Sequence, residues 1–242
     1  YDALDRVLTT KLPGETAEML TSYSIEAGLF KTTVVNELNQ TKHSFTDVRG
    51  RTTKVVEDSN NAGTITTEFT YNALSELIKV EDTDGNITES FYDMAGRRTE
   101  LRHPDNGITK FTYDNASNLI AKETANLLAE NNAEKIEYFY TFNRLDSIVY
   151  PKYPHNNVHF FYGQAEDASA VDDFSVGRLW YQIDATGVQQ FKYGRLGEVR
   201  YNLRSVAVPG DKAYWFKTEW EYDTWNRVKK IIYPDEEEVS YF

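Results

Sequence analysis

Apolar and polar positions alternate along short stretches of this chain, and the stretches recur. In Ile108-Thr109-Lys110-Phe111-Thr112-Tyr113 the alternation sets Phe111 and Tyr113 on one face and Lys110 and Thr112 on the other, as in a half-buried strand. The same aromatic-x-Tyr step returns as Phe69/Tyr71, Phe191/Tyr193 and Trp220/Tyr222. An apolar residue stands six positions after several of these anchor tyrosines, at Val7, Leu77, Leu119, Val199 and Val228, and predicts the start of a return strand. Between anchor and return strand lies a tetrad such as Asp-x-x-Gly or Asn-x-x-Ser. It is too polar for a strand and predicts a tight bend whose aspartate or asparagine bonds nearby backbone N–H groups. Hairpin turns are expected at the opposite ends of the strands, at Asp84-Gly85-Asn86, at Asp105-Asn106-Gly107 after Pro104, and at Pro234-Asp235. Residues 32–35 and 42–45 read as strands flanking a turn at Asn39-Gln40.

The anchors Tyr71, Tyr92 and Tyr113 are 92 − 71 = 21 and 113 − 92 = 21 residues apart, and a fixed period in the twenties marks a repeat architecture. Further copies begin at Tyr1-Asp2, Tyr193-Gly194 and Tyr222-Asp223, and Thr46-Asp47-Val48-Arg49-Gly50-Arg51 is a copy without its tyrosine. The expected fold is all-β: antiparallel stacked β-hairpin repeats forming a single open, curved array over residues 1–242. Both ends fall inside a repeat, so the chain reads as a piece of something larger, with terminal strands open to edge-strand self-association. Three segments stretch the period: 124–134, a helical turn or a lengthened hairpin around Asn131-Asn132; 163–175, with Glu166, Asp167, Asp172 and Asp173; and 205–212, with Pro209-Gly210. Features particular to this protein are expected there.

Composition agrees with strands. The chain holds 17 Tyr, 13 Phe and 4 Trp. Mean hydropathy is −0.60, with no long apolar run, which argues against a membrane span. A net charge of −12 argues against a nucleic-acid partner, since a phosphate backbone calls for a basic surface. The absence of cysteine excludes disulfides and thiolate chemistry.

Each chemical signal has a plainer structural reading. Asp82-Thr83-Asp84-Gly85-Asn86 resembles the start of a calcium loop, but its glycine is fourth and Asp93 stands where the terminal glutamate belongs, so a hairpin turn is expected. His155 and His159 have helical metal-pair spacing, but Pro151 and Pro154 precede them and His159-Phe160-Phe161-Tyr162 reads as strand. No carboxylate pair is singled out by spacing, and Glu236-Glu237-Glu238 reads as a solvated turn. Arg6, Arg51, Arg97 and Arg227, each at the same distance from a repeat start, are expected to reach a carboxylate or carbonyl of a neighbouring unit. No catalytic residue, cofactor or metal site is predicted.

The unit Tyr92-Asp93-Met94-Ala95-Gly96-Arg97-Arg98, with Pro104-Asp105-Asn106-Gly107 after it, closely resembles the Rhs family, also called YD repeats. The resemblance implies a long antiparallel sheet of stacked hairpins coiling into a hollow shell. In bacterial relatives, including insecticidal toxin complexes, such a shell encloses a toxic C-terminal domain; in animal teneurins a similar barrel serves cell adhesion. The Asp-Pro-x-x-Arg type signature with which bacterial relatives cleave themselves does not occur here, so no family catalytic aspartate carries over. The resemblance therefore implies a non-enzymatic shell segment of a secreted or surface-borne bacterial protein, whose partners are the rest of its own shell and a C-terminal toxin cargo. A surface module binding carbohydrate or protein through its aromatic rows is the competing reading. Exposure of Phe111, Tyr113, Phe191 and Tyr193 separates the two.

Overall fold

The computed structural model describes residues 1–11, 18–59, 63–129 and 134–241. Strand accounts for 56% of the chain and helix for 6%, so the all-β expectation holds. The chain divides into two units, Tyr1–Phe111 and Thr112–Phe242.

The first unit is a run of antiparallel neighbours: β1 (Thr9–Thr10), β2 (Met19–Glu26), β3 (Leu29–Val35), β4 (Thr41–Thr46), β5 (Thr52–Ser59), β6 (Gly63–Tyr71), β7 (Leu77–Glu81), β8 (Ile87–Tyr92), β9 (Arg98–His103) and β10 (Gly107–Tyr113), the last ending just inside the second unit. Each strand pairs with the next, because connections this short allow only a hairpin. The second unit continues with β11 (Leu119–Glu123), α1 (Ala125–Ala129), β12 (Ile136–Thr141), β13 (Arg144–Val149), a 3-10 turn at Pro154–Asn156, β14 (Val158–Tyr162), α2 (Ala168–Asp172), β15 (Leu179–Asp184), β16 (Gly187–Tyr193), β17 (Val199–Ala207), β18 (Ala213–Tyr222), β19 (Val228–Ile232) and β20 (Glu238–Ser240). Its strands from β11 to β20 again pair in sequence order. Among the described residues, β1 pairs only with β2 and β20 only with β19, so the ladders stay open at those strands.

Leu77, Leu119, Val199 and Val228 open β7, β11, β17 and β19 as the apolar pattern predicts. Val7 does not open a strand. Pairing there starts with the Leu8 carbonyl, which accepts the Thr21 N–H at 2.8 Å, and the strand itself begins at Thr9.

A feature that alternation alone does not reveal lies beside most anchors. Thr70 faces Lys79 and Tyr71 faces Leu77, so Ile78 is an extra residue in the return strand. The same β-bulge leaves Thr53, Thr99, Asp146, Trp180, Arg200 and Lys229 without a direct partner on the strand before. Truly buried apolar side chains are few: Phe45, Ala121 and Ala170 among the described residues. Most aromatic residues of the strand faces, Phe111, Tyr113, Phe191 and Tyr193 among them, are half-buried.

The three stretched segments take different forms. In the first, α1 supplies the helical turn; Asn131-Asn132 lies outside the described residues. The second is a packed insertion. It contains α2, buries Ala170 and Ser175, and brings Ser175 so close to Gly163 that a Cβ there would lie 2.5 Å from the Ser175 carbonyl oxygen. The third is hardly a loop, because β17 and β18 run on to Ala207 and Ala213 and turn tightly at Pro209-Gly210.

Candidate functional site

The polar tetrad builds one loop over and over. At Asp93 the backbone N–H donates to the Arg97 carbonyl at 2.9 Å and the Gly96 N–H donates back to the Asp93 carbonyl at 3.0 Å. The Asp93 carboxylate accepts the N–H groups of Ala95 at 2.9 Å and Arg97 at 3.0 Å on one oxygen, and Arg97 Nε at 2.7 Å on the other. Closing the loop demands a left-handed residue, Gly96 at φ +77°. Asp2, Asp47 and Asp223 repeat the arrangement with Arg6, Arg51 and Arg227. Asp82 does so at the opposite end of the strands with Asn86, so the expected hairpin turn and the expected bend are the same device. These donors hold the carboxyls below the usual aspartate value. The Arg6 guanidinium and N–H bring Asp2 to about 2. Arg51 lowers Asp47, Asn86 lowers Asp82, and the N–H groups of Arg97 and Arg227, then their side chains, lower Asp93 and Asp223.

Copies that depart from the consensus are chemically matched. Where the first residue is asparagine, its amide nitrogen donates and the fifth residue is an acceptor: Asn36 to Gln40 Oε1 at 2.8 Å, and Asn72 to Glu76. Where it is aspartate, the fifth residue is a donor, arginine or asparagine. Ser75 and Ser117 take the left-handed position at φ +69° and +68°. At Gly194, which has no side chain, Glu198 reaches back instead, and one of its oxygens accepts the Leu196 N–H at 3.0 Å.

The anchor tyrosines tie each repeat to the one before it. Tyr92 Oη donates to the carbonyl of Leu77 at 2.9 Å, and Tyr23, Tyr71, Tyr140, Tyr162, Tyr193 and Tyr222 do the same to Val7, Thr52, Leu119, Leu145, Leu179 and Val199. Except at Thr52, Leu145 and Leu179, the acceptor stands at the predicted start of the preceding return segment. Arginines lie over these rings: Arg6 over Tyr23 at 4.3 Å, Arg51 over Tyr71 at 4.9 Å, Arg144 over Tyr162 at 4.8 Å and Arg178 over Tyr193 at 5.5 Å. The expectation for the arginine row needs correcting in one respect. The carboxylate that Arg6, Arg51, Arg97 and Arg227 each grip belongs to its own loop, four residues back. Toward the following repeat, Arg51 donates to the Asn72 carbonyl at 3.4 Å, as expected, and to Ser75 Oγ at 3.2 Å, and Arg6 and Arg51 also reach its tyrosine ring.

The remaining chemical candidates stay apart. His155 sits in the 3-10 turn, edge-on to Tyr153, while His159 lies in β14 opposite Ser147 and Ile183. Among the described residues no three His, Asp or Glu side chains gather to hold a metal. Glu236 and Glu237 form an exposed turn, and Glu238 pairs with Lys230 at 2.7 Å. Two of the stretched segments border cavities. One of about 370 Å³ lies between the end of α2 and β16–β19, where Lys192 bonds Asp173 at 2.9 Å and overlies Tyr201. Another of about 450 Å³ lies beside α1, against Leu127, Ile136, Tyr150 and Tyr153.

No family model matches the chain, and no curated protein matches its sequence. In fold it is similar to solved toxin structures. The crystal structure of TcdB2-TccC3 without its hypervariable C-terminal region superposes with a TM-score of 0.59 at 14% identity, covering 91% of this chain and 13% of that one. The crystal structure of TcdB2-TccC3 gives 0.59 at 15% identity, covering 91% and 14%. The Tc holotoxin pore of Photorhabdus luminescens gives 0.59 at 14% identity, covering 91% and 13%. The chain thus shares its fold with a part of these much longer toxin proteins.

Proposed function

We propose that this chain is a non-enzymatic structural segment of an Rhs/YD-repeat shell, in a secreted or surface-borne bacterial protein whose shell encloses or displays a toxic C-terminal domain. The observation that carries this reading is the use made of the recurring chemistry within the repeat itself. Anchor hydroxyls are bonded to the preceding repeat, and loop carboxylates are filled by their own N–H and arginine donors. Residues committed in this way within a repeat and to the repeat before it serve the wall rather than a ligand, and that favours the scaffold over the binding module. The fold shared with part of the Tc toxin proteins supports the same reading.

The test uses the full parent protein. Limited proteolysis compares the region following the repeats in the intact parent with the same region expressed alone. Enclosure predicts cleavage slowed by roughly tenfold or more in the parent, because a protease reaches only opened states. Equal rates in the two settings would overturn the enclosing role.

A further inference from the structure

The hairpin of β17 and β18 outgrows its neighbour on one side. Its ladder runs from Tyr201 opposite Glu219 to Ala207 opposite Ala213 without a bulge. The ladder between β18 and β19 starts only at Glu219 opposite Ile232. Residues 213–218 therefore have β17 on one side and, among the described residues, no strand on the other.

Which backbone groups face outward follows from parity. Ala207 N–H donates to the Thr186 carbonyl, toward β16, so odd-numbered residues of β17 face β16 and even-numbered ones face β18. On β18, then, Tyr214, Phe216 and Thr218 bond β17, while Ala213, Trp215 and Lys217 present N–H and C=O groups away from it. The arrangement further along agrees: the Tyr233 N–H donates to the Glu237 carbonyl at 2.9 Å, away from β18, so Ile232 faces β18 and Glu219, of the same parity as Trp215, faces β19. Edge strands are normally guarded by proline, a bulge or inward charge. This one has none of these along Ala213-Tyr214-Trp215-Phe216; Trp215 is 58% exposed, Phe216 45% and Tyr214 40%. Its one charge, Lys217, is engaged by Glu219 at 2.9 Å.

We propose that this edge is a pairing site for the same strand of a second copy of the chain, joined antiparallel about Trp215. The segment is complementary to itself in that register. Trp215 meets Trp215 of the other copy as a pair exchanging both backbone hydrogen bonds, and Ala213 meets Lys217 on either side, so every outward group finds a partner. Tyr214 falls opposite Phe216, giving aromatic cross-strand pairs on the other face. Within the paired residues 212–218 no like charges come into direct opposition: Lys217 faces Ala213, and Lys212 faces Thr218. The next positions in this register, Asp211 and Glu219, fall outside the free edge, because Glu219 already pairs with Ile232. This interface is internal to the hairpin and independent of both the shell reading and the chain's terminal strands.

Sedimentation over a concentration series of the 242-residue chain tests it. The wild type is expected to pass from monomer to dimer. Trp215→Pro removes an outward N–H without touching the ladder to β17, and is expected to remain monomeric with an unchanged β-type circular dichroism spectrum. Should that variant unfold, a charge exchange keeps the test sharp. Trp215→Lys and Trp215→Glu each place like charges face to face at the centre, so each alone should dimerise about tenfold more weakly or less, while their mixture should recover. A wild type that stays monomeric throughout, a dimer indifferent to both single charges, or a mixture no tighter than either variant alone would overturn the proposal.

Discussion

Glu198 places its carboxylate where a side chain on Gly194 would lie: a Cβ built at Gly194 would stand 1.7 Å from Glu198 Oε1. The fifth residue of the loop has taken over the work that the first residue does elsewhere, accepting the Leu196 N–H as Asp93 accepts that of Ala95. Position one and position five thus behave as a single unit. Gly194→Asp alone should destabilise the second unit, because two carboxylates compete for one space. Gly194→Asp with Glu198→Arg should recover it by recreating the Asp93–Arg97 arrangement. Chemical denaturation of the double-mutant cycle is expected to give a favourable coupling of about 1 kcal/mol or more. Additive effects would mean the two positions are independent.

Gly96→Val is expected to lower stability by about 2 kcal/mol, since a β-branched residue strongly resists the left-handed region. Crowding adds to this, as the new Cβ would approach Glu76 Oε1 to 3.1 Å. Gly96→Asn should cost much less, in line with Asn39 and Asn226, which hold the equivalent position at φ +58° and +60°. Thermal unfolding separates the two variants. Equal midpoints for Gly96→Val and wild type would remove the need for a left-handed residue there.

Much of this was legible in the chain. Alternation ending in aromatic-x-Tyr located β6, β10, β16 and β18, and the polar tetrads located the loops between strands, because both signals are local. The bulged Ile78, Thr99 and Arg200 were not legible. Register depends on how two strands meet, and nothing in the residue types at those positions announces it. The arginines were legible only in part: Arg51 does reach the Asn72 carbonyl of the next unit, but its carboxylate partner lies in its own loop. Spacing shows that Arg51 and Asp47 lie close, but choosing between a carboxylate of the same loop and one of the next unit takes the loop's actual closure. The sequence located the insertion around α2 as a segment that stretches the period, but not its packing: its small residues Ala170 and Ser175 pack inward, and Asp173 pairs with Lys192. The free edge of β18 was also hidden, since it exists only because β19 stops short of it.

Acid should weaken the fold through the loops. Asp2, Asp47, Asp82, Asp93 and Asp223 all have carboxyls held below 3.8, by donors from their own loops. An aspartate of this kind contributes its full stabilisation above 3.8, where both states are ionised. The contribution fades as pH falls through the folded value, because the unfolded chain takes up protons first. The unfolding midpoint should therefore be steady above the ordinary aspartate range and drop from 3.8 toward about 2, the value for Asp2. Asp93→Asn should lower stability above that range and show a shallower acid limb. A midpoint insensitive to pH in this window would mean the loop contacts add nothing.

The tyrosine ties can be separated into hydroxyl and ring at Tyr193. Its Oη donates to the Leu179 carbonyl at 2.6 Å, and the Arg178 guanidinium lies 5.5 Å from the ring centre. Tyr193→Phe removes the first contact and keeps the second. It should cost about 1 kcal/mol, the net worth of a hydrogen bond whose acceptor can be partly rehydrated. Tyr193→Leu removes both, and should cost at least about 1 kcal/mol more through the lost ring and its cation contact. Arg178→Met serves as the control, for it should narrow the difference between the phenylalanine and leucine variants while leaving the cost of Tyr193→Phe unchanged. Alkaline pH provides an independent check. Burial raises the Tyr193 hydroxyl above its ordinary 10.0, so its stabilising effect is complete below 10.0 and is lost as pH rises through the folded value. Tyr193→Phe should accordingly lose less stability than wild type on titration into that range. If Tyr193→Phe matched wild type at neutral pH and followed the same alkaline curve, the hydroxyl would not be what joins one repeat to the next.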